Sequence, residues 1–139
     1  MSEIDKKYIE SRVNDWRHRI VDIFSFVKKS CSNYPEIDFS ENKTTQMHEE
    51  LMQKFDVSPV ELPILEIRKN KELLASFKPM GLWVIGANGR IDILTKAGSY
   101  ILVDVAEKEE PSIWKVYTPS NRKESVEFDN KFIADLVRS

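Results

Sequence analysis

Two tight turns are encoded between Gly81 and Ala106, in the stretch GLWVIGANGRIDILTKAGSYILVDVA. Asn88-Gly89 between two apolar runs is typical of a type I′ hairpin turn, because both central residues of that turn need a positive φ angle. Lys96-Ala97-Gly98 predicts a three-residue loop in which Gly98 takes the left-handed position of a G1 bulge. The stretch therefore predicts three consecutive antiparallel strands.

A long helix is predicted at the start of the chain, with Ser2 as its N-cap. Apolar residues recur there at helical spacing as far as Cys31. The apolar stripe is narrow up to Trp16 and widens from Ile20 to Val27. We therefore expect the second half of the helix to be deeply buried and the first half to lie at the surface or protrude.

The regions on either side of the strands contain further helix and turn signals. A polar connection is expected over 33–43, and a short second helix over 45–55, where apolar residues share one helical face. The last helix is predicted to begin at Asp129 as N-cap, because Phe128 and Ile133 then form a hydrophobic staple. The order of elements is thus helix, helix, strands, helix.

Short connections between successive strands favour an antiparallel meander. The predicted architecture is a single α+β domain over 1–139. Its helical part covers 1–56, its sheet of about six strands covers 61–118, and its C-terminal helix covers 129–138. A chain of this length can bury roughly two-thirds of its unfolded surface around one core.

Composition excludes several classes of protein. The formal charge of −2, with both signs interspersed, argues against non-specific nucleic-acid binding, which needs a concentrated basic face. The single cysteine, Cys31, excludes an internal disulfide and fits a reducing compartment. No secretory signal or membrane-spanning run is expected, since the first apolar run is short and contains Asp22. These features predict a soluble cytoplasmic protein.

The bulged register of the second hairpin places β-branched residues on one face, which we expect to be core. The opposite face then carries the residues that we predict as candidates for ligand binding: Trp83, Arg90, Asp92, Tyr100 and Asp104. In a structural interpretation, Arg90 and Asp104 form a cross-strand ion pair and Asp92 shares the guanidinium. In a functional one, the aromatic rings form a platform and the charged groups orient a ligand.

The strand pair also suggests an alternative with enzymatic activity. GRIDIL followed by YILVDVA superficially resembles the pattern of restriction-like nucleases of the PD-(D/E)xK class. The resemblance covers some 20 residues. It implies that Asp92 and Asp104 hold a divalent metal and that Glu49 is the helical acid. The chain departs from the pattern at the lysine position, which is Ala106.

Other catalytic motifs are missing from the sequence. His18, His48 and Cys31 are too few for a zinc site, and neither a P-loop nor a nucleophile elbow is present. We predict no catalytic residues, no metal and no cofactor.

The sequence therefore favours a small interaction protein of adaptor or inhibitor type, without catalytic activity. We expect a protein partner, or self-association, to use the N-terminal helix. The interface candidates are Tyr8, Arg12 and Trp16, since aromatic residues and arginine are common interface anchors. The acidic loop from Glu107 to Glu110 could meet a basic partner surface.

Overall fold

A computed structural model describes residues 4–138 of the chain. Three helices and seven strands follow one another in the order α1 (Lys6–Ser30), β1 (Ile37–Met47), α2 (Glu50–Lys54), β2 (Val60–Lys69), β3 (Glu72–Gly81), β4 (Arg90–Thr95), β5 (Gly98–Asp104), β6 (Trp114–Thr118), β7 (Asn121–Glu127) and α3 (Asn130–Arg138). The strands form one antiparallel sheet in sequence order, β1 to β7. The predicted α+β meander is confirmed, with one strand more than the six expected.

Helix α1 packs along one face of the sheet, called here the core face. Its Phe24 ring meets Phe77 of β3 edge to face, with centroids 6.3 Å apart. Alternate residues of the central strands are buried on the same side, among them Ile91, Ile93, Leu102 and Val116. The opposite side of the sheet, called the outer face, carries Lys78, Asp92, Ile101 and Tyr117 in one row.

The first half of α1 does not protrude, and that expectation is wrong. Ile9, Val13 and Trp16 are buried, as are the apolar residues of the second half. The polar residues beside this narrow stripe suggested an exposed helix, but the loops 82–89 and 105–113 fold over it. Ser2, the predicted N-cap, lies outside the described residues. The N-cap of α1 is Asp5, whose carboxylate accepts from the Tyr8 amide at 2.9 Å.

Two strands occupy segments where no strand was predicted. Strand β1 takes up much of the expected connection over 33–43 and the first part of the expected second helix. It therefore lies within 1–56, the part of the chain that was predicted to be helical. Helix α2 covers only Glu50–Lys54. Strand β7 lies beyond the predicted sheet, 61–118. Both are edge strands, and β7 is largely exposed. Pairing with β2 and β6 stabilises them, and an edge strand needs no apolar alternation of its own.

The first turn is wrong in the prediction. Strand β3 pairs directly with β4, from Ala75 opposite Thr95 to Gly81 opposite Arg90. Residues 82–89 form the loop that joins β3 to β4. They do not form the predicted strand and Asn88-Gly89 turn.

The second turn joins β4 and β5 through two residues, Lys96 and Ala97, because Thr95 pairs with Gly98. The predicted bulge is therefore wrong by one residue. A shift of one residue moves every side chain of a strand to the other face. This shift decides where Tyr100 and Asp104 lie.

Helix α3 begins as predicted. The Asp129 carboxylate accepts from the Phe132 amide at 2.9 Å, as an N-cap does, and Ile133 is buried. Its Phe132 ring meets Tyr100 of β5, which places α3 on the core face.

Candidate functional site

The structure separates the five predicted ligand-binding residues. Arg90 and Asp92 lie together on the outer face, where Arg90 Nε donates to Asp92 Oδ1 at 2.8 Å and Nη2 donates to Oδ2 at 3.3 Å. Tyr100 and Asp104 lie on the core face, because each is two residues from the buried Leu102 and therefore on the same side of β5. Trp83 lies in the loop 82–89. The common face that the bulged register predicted is not found.

Asp104 is buried and belongs to a structural network. Its Oδ2 accepts from Arg19 Nη1 at 2.9 Å, and its Oδ1 accepts from the amides of Ala106 and Ile113, each at 3.0 Å. The predicted Arg90–Asp104 ion pair is therefore replaced by an Arg19–Asp104 pair. Arg19 was not predicted, because a pair 85 positions apart along the chain leaves no local pattern.

The acids of the nuclease-like pattern do not converge. Asp92 is on the outer face and Asp104 is on the core face. Glu49 accepts from the backbone amides of Leu82 and Trp83, at 2.9 and 3.3 Å. Within residues 4–138, no group of three or more His, Cys, Asp or Glu side chains could hold a metal ion.

The three predicted interface residues lie at the same end of the sheet as Trp83, which Arg12 contacts. We call this region the loop end. It consists of the first half of α1, the loop 82–89 between β3 and β4, and the loop 105–113 between β5 and β6. Arg12 donates to Asn88 Oδ1 in the first loop, and its Cζ lies 6.0 Å from the ring centroid of Trp83.

Tyr8 connects α1 to the second loop. Its hydroxyl oxygen accepts from Lys108 Nζ at 2.9 Å and from Arg12 Nη1 at 3.4 Å. The hydrogen bond from Lys108, followed by that from Arg12, lowers the pKa of the Tyr8 phenol below its ordinary value, because both cations favour the phenolate. Tyr8 and Arg12 are half-buried and part of their surface is accessible.

Trp16 is fully buried between the loop 82–89 and the start of β6. Its ring lies 6.3 Å from that of Trp114, and Arg19 Cζ lies 4.9 Å from its centroid. A Cβ added to Gly89 would lie 2.4 Å from the Trp16 ring, so only glycine fits there. In this structure Trp16 packs inside the chain, below the surface that Tyr8 and Arg12 reach.

The loop 82–89 is anchored at both ends. Glu49 binds its first two amides. At the other end, the Asn88 carbonyl accepts from Arg19 Nη1 at 2.5 Å, and the Asn88 amide donates to the Asp104 carbonyl at 2.7 Å. Between the anchors, Ile85 is fully exposed, with a relative accessibility of 106%. The loop therefore presents a large aliphatic side chain to solvent from a held backbone.

Further exposed apolar residues lie at the same end of the sheet. One of them is Met80, the bulge residue at the end of β3. The other two are Val105 and Ile113, which lie just outside β5 and β6, where the Val105 amide donates to the Ile113 carbonyl at 2.8 Å. All three side chains are more than 40% exposed. We call these residues, together with Ile85, the apolar rim. The apolar rim has no signature in the sequence, because its members come from three separate segments.

Acidic residues lie directly beside the apolar rim. Glu107, Glu109 and Glu110 are exposed in the loop that joins Val105 to Ile113. Lys108, the one basic residue among them, is directed toward Tyr8. The three glutamates form no side-chain ion pair with any other described residue. The loop 105–113 therefore combines exposed apolar side chains with negative charge that no ion pair within residues 4–138 neutralises.

Comparison of the chain with protein-family models, with curated proteins and with solved structures gives no match. Among residues 4–138, none of the helices is both long enough and apolar enough to cross a membrane.

Proposed function

We propose that this chain is a small cytoplasmic interaction protein, of adaptor or inhibitor type and without catalytic activity, that binds a protein partner through its loop end. The fully exposed Ile85 on an anchored loop is the observation that carries the proposal. A single exposed aliphatic side chain is common on a protein surface. Ile85 on an anchored loop, with three more exposed apolar residues at the same end of the sheet, supports an interaction site there.

Anchoring of the loop favours binding. A partner that buries Ile85 meets a backbone already held by Glu49 and Arg19, so little conformational entropy is lost on association. The half-buried Tyr8 and Arg12 extend the surface onto α1, which is how the N-terminal helix takes part in the interface. Tyr and Arg are both enriched among the residues that contribute most to binding.

The negative charge of the loop 105–113 favours a particular kind of partner. Glu107, Glu109 and Glu110 would lie at the rim of an interface centred on Ile85. Exposed charges at such a rim raise the association rate with a partner of opposite sign. The partner surface that fits is thus basic around an apolar centre. We do not propose the nuclease-like alternative, because Asp92 and Asp104 are on opposite faces.

Native mass spectrometry of the tagged protein, purified gently from its own cells, tests this proposal. We expect a stoichiometric protein partner with the unchanged chain and with the control Val126→Ser, which removes another exposed aliphatic residue, on β7. Ile85→Ser should lose the partner. A partner retained by Ile85→Ser would refute the assigned surface. A complex made of two copies of this chain would replace the heterologous partner by self-association.

A further inference from the structure

A cavity of about 600 Å³ lies at the end of the sheet opposite the loop end, where α3 crosses two hairpin turns. The β2–β3 turn contributes Asn70, the β4–β5 turn contributes Lys96, and α3 contributes Leu136. Sites for small molecules have volumes of roughly 300–1,000 Å³. The cavity is therefore large enough for a small ligand, and it is separate from the proposed protein interface.

The walls of the cavity are largely apolar. Leu74, Leu136 and the Tyr100 ring line it, and Leu73 lies at its border with 42% of its surface exposed. The Tyr100 ring is held edge to face against Phe132, with the two centroids 5.6 Å apart. These side chains suit the apolar body of a ligand.

The charged groups of the lining are two lysines and one glutamate. Lys69 Nζ is held beside the cavity by donating to the Val137 carbonyl at 2.8 Å. Lys96 is exposed on its turn and forms no ion pair within residues 4–138, so its ammonium group is available to a ligand. Glu72 is the one carboxylate among the described lining residues. The balance is one positive charge, which favours an anion.

We propose that this cavity binds an anionic amphiphile, such as a medium-chain fatty acid. The apolar body lies against Leu74, Tyr100 and Leu136, and the carboxylate of the ligand accepts from Lys96 Nζ. Burial of the hydrocarbon supplies most of the affinity, and the charge-assisted hydrogen bond to Lys96 selects the sign of the head group.

Dodecanoate tests the proposal, with dodecyltrimethylammonium as a probe of equal chain length and opposite charge, both below their micelle concentrations. Calorimetric titration should give one saturable site for dodecanoate. Lys96→Glu should weaken that binding about tenfold or more, since a hydrogen bond to a charged group is lost and a repulsion is added. The matched control Lys123→Glu, on the exposed β7, should bind as the unchanged chain does.

NMR provides a second measurement that needs no variant: the changes in backbone amide chemical shift when dodecanoate is added to the unchanged chain. They should be confined to the β2–β3 turn, the β4–β5 turn with Tyr100, and α3. Three results would overturn the proposal: no saturable binding of dodecanoate, equal binding of the cationic probe, or equal effects of Lys96→Glu and Lys123→Glu. Shift changes centred elsewhere on the chain would also overturn it.

Discussion

Arg19 of α1 and Asp104 of β5 form an ion pair inside the protein, with Nη1 and Oδ2 2.9 Å apart and side-chain exposures of 11% and 1%. The same guanidinium nitrogen donates to the carbonyl of Asn88. One arginine thus links the N-terminal helix, the sheet and the loop that carries Ile85. The proposed interface depends on this link, because it holds the end of the loop.

Removal of Asp104 should destabilise the fold strongly. Asp104→Ala removes the buried one of the two carboxylates paired with Arg19, the other being the exposed Asp15 at 2.8 Å from Nε, and leaves the amides of Ala106 and Ile113 without their acceptor. We expect the free energy of unfolding to fall by about 3–5 kcal/mol, measured by urea denaturation. Arg90→Ala, which breaks the half-exposed pair with Asp92, should cost less than about 1 kcal/mol.

Double-mutant cycles give the matched control for this prediction. We expect a coupling energy of about 0.5–3 kcal/mol between Arg19 and Asp104, and additivity within about 0.5 kcal/mol between Arg90 and Asp104. Strong coupling between Arg90 and Asp104 would contradict the register described here and favour the bulged one.

Glu49 should control the order of the loop 82–89. Glu49→Ala removes the acceptor of the Leu82 and Trp83 amides, and we expect a loss of about 1–3 kcal/mol in the free energy of unfolding. Hydrogen exchange at these two amides should accelerate. Glu50→Ala changes the exposed neighbouring residue and should leave their exchange unaltered. Equal exchange rates in both variants would show that Glu49 does not hold the loop.

Gly89 and Gly86 should differ in their response to alanine. Both have a positive φ, but a Cβ on Gly89 would meet the Trp16 ring, whereas one on Gly86 would meet no described atom within 4 Å. Gly86→Ala should cost only backbone strain, about 1–2 kcal/mol. Gly89→Ala adds overpacking of about 1–3 kcal/mol. Thermal unfolding of the two variants measures the difference, and equal losses would contradict the packing of Trp16 on Gly89.

The phenol of Tyr8 should titrate below its ordinary pKa. Its charged form is stabilised chiefly by the hydrogen bond from Lys108, so Lys108→Met should raise the pKa of Tyr8 toward the ordinary value. NMR of labelled tyrosine rings across alkaline pH checks this prediction. Lys123→Met serves as the control and should leave the titration unchanged. If Lys108→Met also left it unchanged, the contact between α1 and the loop 105–113 would be refuted.

Some predictions from sequence are confirmed, whereas both predicted turns are wrong. The start of α3 at Asp129, the helical stripe of α1 and the meander of strands follow from spacing, capping and short connections, which involve residues close together along the chain. They failed for the edge strands β1 and β7. Pairing with a neighbouring strand stabilises these segments, and their own apolar pattern is weak.

The periodicity of the apolar residues indicated the class of fold, because it acts over a few positions. Only the tertiary structure decided the faces of β5 and hence the candidate site. The bulged register was predicted because it leaves only aliphatic residues on the core face of the hairpin. The observed register places Asp104 on that face, which is tolerated because a distant arginine and two amides satisfy the buried carboxylate. Arg19 supplies that charge to Asp104 from a helix that is remote in sequence. The apolar rim likewise exists only because folding brings three separate segments to one end of the sheet.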